Sequence, residues 1–388
     1  MSPTTSTAQL NESSRARVAY VHVPFCAHRC GYCNFTLLAG RDDLIDAYLE
    51  AIGRELAALG TPREVDTLFF GGGTPTHLPP DRLARLIETA RHWFPLAAGY
   101  ELSIEANPID IRPELVDLLA GLGVTRLSLG GQSFDAGKLR LLERDHTPQM
   151  LRRAVELAKQ RIASVSLDLI FGTPGETLAA WRRDLQLALE LQPDHVSTYG
   201  LTFERGTRFW SRLKQGELAT VDEETERGMY CEAIDTLAAA GFEHYEVSNF
   251  ARPGHRCRHN EAYWSGAGYY AVGPGAARYV DGRREINHRS TTTWLRRVLA
   301  GQSPVAESEC LEAEERAREQ LVFGLRRMAG VERASFGRAT GYDLDALAGP
   351  KLSELVERGL LADDGRVVRL TRAGLLVSDS IWPRLLRS

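Results

Sequence analysis

The chain has 388 residues, of which 43% are hydrophobic and 25% charged, and 47 basic against 51 acidic residues leave a formal net charge of −4. This composition is typical of a globular protein of two or three domains and excludes a largely disordered chain. The near-neutral balance argues against a nucleic-acid partner, and no run approaches the roughly 18 apolar residues of a membrane span, so we expect no integral membrane segment and a cytoplasmic location.

The first elements in chain order predict a parallel sheet. Residues 1–16 are polar without apolar periodicity and are expected to form a flexible tail. From Arg17 onward, short β-branched runs alternate with segments of helical period. The strand candidates are 18–23, 65–70, 101–104, 124–129, 165–171 and 195–199. Because the alternation stops after Leu201, we expect an α/β fold with a partial (β/α)6 TIM-like barrel over 17–205, not a closed eight-unit barrel.

Two further regions follow the barrel. Residues 206–303 are predicted to form a mixed α/β extension that contains a long helix at 222–240. Residues 304–388 are predicted to form a small C-terminal helical domain of winged-helix-like shape, because three helical segments precede a hairpin around Asp364-Gly365. Its last helical segment carries two acidic and two basic residues over 351–358, which favours a packing role over DNA binding.

The most specific motif is the group Cys26, Cys30 and Cys33 in one loop after the first strand. Three thiolates can hold a [4Fe-4S] cluster and leave one iron without a protein ligand. A structural zinc site needs a fourth ligand, which His22 or His28 could supply, although His22 lies within the strand. A redox pair of Cys30 and Cys33 leaves Cys26 without a role. The spacing favours the open cluster, with zinc and redox thiols as alternatives.

The ends of the other strands carry glycines and polar side chains. Gly71-Gly72-Gly73-Thr74 follows the second strand, Glu105 the third and Gly130-Gly131-Gln132 the fourth, and Asp168 lies on the fifth. Because active sites of parallel barrels form at the carboxyl ends of the strands, we expect these groups to contact a ligand beside the cysteine loop. The alternative is that the glycines only form turns and the carboxylates cap helices.

These motifs resemble the radical S-adenosylmethionine (SAM) family when they are taken together with EANP, RLSLGGQSF, Arg144-Asp145-His146-Thr147, DLIFGTPGET and YEVSNFARPG. Within it, the chain resembles the group of anaerobic coproporphyrinogen III oxidase and HemW, a heme chaperone. The resemblance runs from about Tyr20 to the C-terminal domain. It implies a [4Fe-4S] cluster on Cys26, Cys30 and Cys33, with SAM on the open iron, a low-potential electron donor and a 5′-deoxyadenosyl radical. Matched by position, the implied SAM contacts are Tyr20, Tyr32, Gly72, Gly73, Thr74, Glu105, Gln132, Arg144 and Asp168.

Two departures from the oxidase point to the HemW subgroup. Phe35 stands where the oxidase has a further cysteine, and only 19 residues precede Tyr20. The run 257–264 also resembles the HNxxYW motif of the chaperones. The resemblance therefore implies a protein that binds heme and passes it to an unidentified acceptor protein, with an oxidase-like or heme-modifying enzyme as the alternative.

Heme binding by the 257–264 run is chemically plausible. His259 is the candidate axial ligand, and Tyr263, Trp264, Tyr269 and Tyr270 offer flat apolar faces. The alternative to heme binding is a structural role, in which the His-Asn pair forms hydrogen bonds with buried amides of the loop. No residue is assigned a catalytic role.

Overall fold

The computed structural model describes residues 16–387, so all of the predicted tail except Ala16 lies outside it. The strands are β1 Val18–Val23, β2 Phe25–Cys26, β3 Leu38–Ala39, β4 Val65–Gly72, β5 Leu96–Ala106, β6 Arg126–Gln132, β7 Ser164–Phe171, β8 His195–Gly200, β9 Glu243–Glu246, β10 Asn249–Ala251, β11 Tyr269–Val272, β12 Ala277–Val280, β13 Arg283–Asn287, β14 Val305–Cys310, β15 Val331–Glu332, β16 Leu361–Asp363 and β17 Val367–Leu370. The α-helices are α1 Ile45–Ala57, α2 Pro80–Trp93, α3 Pro113–Gly121, α4 Ala136–Leu141, α5 Pro148–Lys159, α6 Leu178–Glu190, α7 Arg208–Lys214, α8 Glu223–Ala239, α9 Arg258–Trp264, α10 Thr291–Leu299, α11 Ala313–Arg326, α12 Arg333–Thr340, α13 Leu344–Glu357, α14 Arg372–Leu376 and α15 Ser378–Leu386.

The six predicted barrel strands form one parallel sheet in the order β1-β4-β5-β6-β7-β8, which confirms the predicted fold class. The helices between them bury one apolar stripe against the sheet. In α5, for example, Leu151, Ala154, Val155 and Ala158 are buried at spacings of three and four residues. Parallel strands place their carboxyl ends on one face, so β1, β4, β5 and β6 all end beside the cysteine loop.

The sheet continues beyond the barrel at both edges. Beside β8 lie the antiparallel strands β10 and β9. Beside β1 lies β11, which is parallel to it, followed by the antiparallel strands β12, β13 and β14. The strand Val305–Cys310 thus belongs to the large sheet, although the sequence division at residue 304 assigns it to the C-terminal domain. The barrel stays open because β9 and β14 are the two outer strands of this sheet.

Buried Glu55 on α1 connects the barrel to this extension. Its carboxylate accepts hydrogen bonds from the Gly273 amide at 3.1 Å, Asn287 Nδ2 at 2.7 Å and Trp294 Nε1 at 2.9 Å. Burial raises the pKa of Glu55 to about 7, against the effect of these donors. The extension is therefore fixed to α1 by three directional bonds in addition to its strand pairing.

The C-terminal unit has a separate apolar core and the predicted hairpin. Strands β15, β17 and β16 form a three-stranded sheet beside α11, α12 and α13. The Asp364 side chain accepts the amides of Arg366 and Val367 and so closes the hairpin turn. Helix α13 begins at Leu344, where the Asp343 side chain caps its amino end, and it continues through Pro350. None of the helices in residues 16–387 is long and apolar enough to cross a membrane.

Candidate functional site

One cavity of about 1800 Å³ lies at the carboxyl ends of the parallel strands and extends outward to β11–β13 and α11. Twelve of the thirteen predicted site residues line it, and the thirteenth, His259, does not. The lining residues among them are Tyr20, Cys26, Cys30, Tyr32, Cys33, Gly72, Gly73, Thr74, Glu105, Gln132, Arg144 and Asp168. The tertiary structure therefore brings together groups that are spread over almost 150 positions of the sequence.

The cysteine loop is fixed by backbone contacts. The Cys33 amide donates to the Cys30 carbonyl at 3.1 Å, and Arg29 donates to the Cys33 carbonyl at 3.2 Å. The Phe209 amide on α7 donates to the Gly31 carbonyl at 2.9 Å. A Cβ at Gly31 would lie 2.4 Å from the Phe209 ring, so glycine permits this close packing. Helix α7 supports the loop, and no pattern in the sequence predicts that role.

The three thiols suit an iron-sulfur cluster. Cys26 and Cys33 are half-buried, Cys30 is buried, and no cysteine of the chain forms a disulfide. Burial raises the pKa of Cys26 to about 12, and the nearby Cys33 and Cys30 thiols raise it further. Metal binding would deprotonate such thiols, since the thiolate is the ligand. In residues 16–387 no three Cys, His, Asp or Glu side chains are placed to hold a single metal ion, whereas three sulfurs around a larger core are the donor set of an open cluster.

The glycines after β4 allow the strand ends to pack against the cysteine loop. Gly72 has a φ of 110°, and a Cβ there would lie 2.3 Å from the His22 ring. A Cβ at Gly73 would lie 2.6 Å from the Phe25 carbonyl oxygen. The space above these two glycines is thus taken by the protein itself. The Gly72 amide donates a hydrogen bond to Oε2 of the Glu105 carboxylate at 2.8 Å.

Glu105 and Asp168 are carboxylates with few partners at the wall of the cavity. Burial raises the pKa of Glu105 to about 7, and Asp168 raises it further while the Gly72 amide lowers it. Burial also raises the pKa of Asp168, against hydrogen bonds from Ser128 and Ser197. A carboxylate offers about four acceptor positions, and in the described part of the chain the Gly72 amide is the one donor recorded at Glu105. Glu105 can therefore accept further hydrogen bonds from hydroxyls of a bound molecule.

Arg144 is held in place but incompletely bonded. Its Nη2 donates to Asn107 Oδ1 at 3.0 Å and to the Gly130 carbonyl at 2.9 Å, and its Nη1 lies 3.6 Å from Cys30 Sγ. Its buried Nε has no hydrogen-bond partner among residues 16–387. Neighbouring Gln132 adopts a left-handed φ of 62°, a conformation that costs free energy and is concentrated at functional sites. A fixed guanidinium with a free N–H suits the carboxylate of a ligand.

Asn107 and Ser128 are cavity residues that the sequence did not single out. Asn107 lies within the EANP run, directly after Glu105 and Ala106, and it orients Arg144. Ser128 Oγ donates to both oxygens of Asp168 at 3.1 Å. The position of Asn107 in a recognised run was a usable signal. Ser128 carried the same kind of signal, because it lies within the RLSLGGQSF run.

On helix α9, the His259 side chain is buried, and Tyr263 lies on its cavity side. The first amides of the helix, those of Arg258 and His259, donate to the buried Glu101 carboxylate of β5 at 3.0 and 3.1 Å. The His259 side chain bonds Thr67 Oγ1 through Nδ1 and Tyr263 Oη through Nε2, each at 2.9 Å. His259 is 2% exposed, and burial lowers its pKa to about 3, so the imidazole is neutral. Tyr263, not His259, faces the cavity.

The outer part of the cavity, here called the outer lobe, combines aromatic rings with arginines. It is lined by Tyr263, Trp264, Tyr269, Tyr279, Arg284, Arg289, Arg316 and Phe323. The Tyr263 and Tyr269 rings meet edge to face at 4.7 Å, and Arg284 pairs with Glu319 at 2.6 Å. Arg289 and Arg316 have no carboxylate within ion-pair distance in the described residues. The outer lobe therefore offers flat apolar faces and two cations without acidic partners.

Comparisons with known proteins show the family and the fold of the chain. A family model described as the radical SAM superfamily matches residues 20–188, and one described as the HemN C-terminal domain matches residues 311–377. The heme chaperone HemW of Bacillus subtilis is 34% identical over 370 residues, which cover 94% of this chain and 97% of that protein. HemW of Mycobacterium tuberculosis H37Rv is 38% identical over 379 residues, 95% of this chain and 94% of that protein. The structure of Escherichia coli coproporphyrinogen III oxidase (HemN), a radical SAM enzyme, superimposes with a TM-score of 0.84 at 24% identity and covers 96% of this chain and 90% of that one.

Proposed function

The chain belongs to the HemW family within the radical SAM superfamily, and we propose that it binds heme and transfers it to an acceptor protein while carrying a [4Fe-4S] cluster and SAM. The observation that carries the proposal is the continuity of one cavity. Its inner end holds the three cysteines and the polar strand ends, and its outer lobe holds aromatic rings and cations. Such a cavity can accommodate a cofactor and a second, flat ligand together.

The inner end has the groups that the cluster and SAM require. Cys26, Cys30 and Cys33 would hold three irons, and when bound the cluster supplies one-electron reducing chemistry to SAM. Glu105 accepts hydrogen bonds from ribose hydroxyls, and the Arg144 guanidinium, which lines the cavity, pairs with the SAM carboxylate.

The size of the cavity supports a second ligand. Pockets for one drug-sized molecule commonly measure about 300–1,000 Å³, and this cavity measures about 1800 Å³. Porphyrins have broad apolar faces and two carboxylates at one edge. The rings of Tyr269 and Tyr279 and the free guanidinium of Arg316 match these two features.

Heme titration of the anaerobically reconstituted protein tests the proposal. We expect a shift of the Soret band that saturates at one heme per chain, followed by transfer when excess apomyoglobin is added as a surrogate acceptor. Free heme mixed with apomyoglobin at the same concentration is the rate control, since transfer from a carrier is slower than capture of free heme. Absence of any Soret change on titration would refute the chaperone function.

An oxidase-like enzyme or a heme-modifying enzyme is the alternative. The fold shared with E. coli HemN supports a related cavity, although Phe35 occupies the position of the oxidase's additional cysteine. Incubation with coproporphyrinogen III, SAM and dithionite separates the functions. A decarboxylated product that forms in step with 5′-deoxyadenosine indicates the oxidase. Modified heme under the same conditions indicates the heme-modifying enzyme.

The proposed electron donor would dock beside the cysteine loop. Phe35 is 65% exposed, and the neighbouring Arg29 and Arg289 are exposed and bind loop carbonyls instead of carboxylates. This surface suits an acidic low-potential donor. The six free thiols support the proposed cytoplasmic location, where a reducing environment keeps cysteines unpaired.

A further inference from the structure

The bonded pair of His259 and Tyr263 on α9 has no role in the function proposed so far. We propose that Tyr263 is the axial ligand of the heme iron and that His259 is a positioning residue which holds the Tyr263 oxygen by a hydrogen bond. This inference rests on the proposed heme binding and assigns a ligand that the sequence analysis placed at His259 instead.

His259 is poorly placed to bind the iron itself. Both of its ring nitrogens are occupied, by Thr67 on β4 and by Tyr263, and the side chain is 2% exposed. Its ring also packs against Phe69 with a centroid distance of 5.0 Å and against Tyr20 at 6.4 Å. Coordination by His259 would therefore break a buried hydrogen bond and displace Tyr263 from the path to the cavity.

Tyr263 meets the geometric requirements of a ligand. It lies one helical turn after His259, so both side chains project from the same face of α9, with Tyr263 on the cavity side. A tyrosine phenolate is an established axial ligand of heme iron. When the Tyr263 oxygen binds ferric heme, an iron–oxygen bond forms, a water ligand leaves the iron, and the phenolic proton leaves to solvent through the cavity, while neutral His259 donates its Nε2–H to the phenolate oxygen at 2.9 Å. Thr67 Oγ1 donates to Nδ1 on the opposite side of the ring and so fixes this neutral tautomer, and the step needs no reactant besides solvent.

The position of Tyr263 in the cavity distinguishes it, as a candidate ligand, from the other tyrosines of the cavity. Tyr20 has a histidine partner too, His22 at 3.2 Å, but it lies at the inner end beside Glu105. Tyr269 and Tyr279 line the outer lobe, and no histidine bond to either is recorded in the described residues. Glu101 fixes the first amides of α9, which keeps Tyr263 at the border between the inner end and the outer lobe.

Ferric heme titration of the full chain and of Tyr263→Phe tests the inference, with resonance Raman and electron paramagnetic resonance as readouts. We expect a high-spin phenolate signature in the unsubstituted protein that is absent from Tyr263→Phe, together with a loss of heme affinity of about tenfold or more. Tyr245→Phe is the matched control because Tyr245 also bonds a buried histidine, His195 at 2.8 Å, but lies outside the cavity. The control should retain the signature, and cluster iron and thermal unfolding should show that both variants fold.

The substitution His259→Ala separates positioning from ligation. We expect the phenolate signature to remain, with a shifted iron–oxygen stretching frequency, because the ligand is kept and its hydrogen bond is lost. A histidine-ligated spectrum that persists in Tyr263→Phe and disappears in His259→Ala would overturn the inference while leaving heme binding intact. No heme binding by the unsubstituted protein would overturn the proposed function as well.

Discussion

The inner end and the outer lobe of the cavity differ in how firmly their polar groups are held. At the inner end, Arg144 donates two hydrogen bonds through one nitrogen, and Glu105 is fixed by the Gly72 amide. In the outer lobe, Arg316 is exposed and Arg289 bonds one loop carbonyl. Fixed groups reduce the entropy lost on binding and suit a cofactor that stays, whereas loosely held cations suit a ligand that must be released.

Under the proposed function, one cavity serves two ligands with different residence times. The inner end is built on strand ends of the barrel, whose backbone is fixed by parallel pairing. The outer lobe is built from α9 with β11–β13 and from α11, which come from two parts of the chain, residues 258–287 and 313–326. If the two ends are independent, substitutions at one end should leave binding at the other unchanged.

The largest expected effect is that of Cys33→Ser. Removal of one of three protein ligands should abolish the cluster almost completely, as measured by bound iron and visible absorption after anaerobic reconstitution. Heme titration of the same variant should be unchanged within about twofold, because distant sites usually act additively. Cys310→Ser, at an exposed thiol on β14 outside the cavity, is the control and should keep its cluster. Simultaneous loss of cluster and heme would show that the two ends are coupled.

A smaller effect is expected for Glu105→Gln on SAM affinity. A hydrogen bond to a charged group contributes about 1.5–3 kcal/mol, so calorimetry should show a loss of tenfold or more. Since the pKa of Glu105 is about 7, its carboxylate ionises between pH 6 and 8, and SAM should bind more tightly as pH rises. The neighbouring groups Asp168 and Tyr20 both have raised pKa values for the same reason, burial. In Glu105→Gln this pH dependence should disappear; if it persists, another group is responsible.

The smallest expected effect is that of Arg316→Gln on heme affinity. An exposed ion pair with a heme carboxylate is worth about 0.2–1 kcal/mol, so affinity should fall by up to roughly fivefold at low salt and less at high salt. Arg358→Gln removes the same charge outside the cavity, where Arg358 pairs with Glu354, and should leave heme affinity unchanged. Equal losses in both variants would indicate a general charge effect instead of a contact. SAM affinity should not change in either.

Much of the barrel and of its inner end could be predicted because the signals are local. Strand candidates such as 165–171 consist of consecutive β-branched and apolar residues, and the structure has Ser164–Phe171 there. The cysteine spacing likewise lies within eight residues and indicates its chemistry without knowledge of the fold. His259 was recognised from its motif, but the motif does not say which of its side chains faces the cavity. That depends on Thr67 and Glu101, which lie more than 150 positions earlier.

The sequence by itself determined the repeating strand–helix pattern, the sulfur donor set and the family to which the chain belongs. Only the tertiary structure decided that β11 pairs with β1, that Val305–Cys310 joins the large sheet, and that Arg289 and Arg316 enter the same cavity as the cysteines. The reason is physical. The strand–helix periodicity and the cysteine spacing can be read from residues that are close together in the sequence. The outer lobe forms where segments that are distant in the sequence pack together, and no local pattern indicates which segments do so.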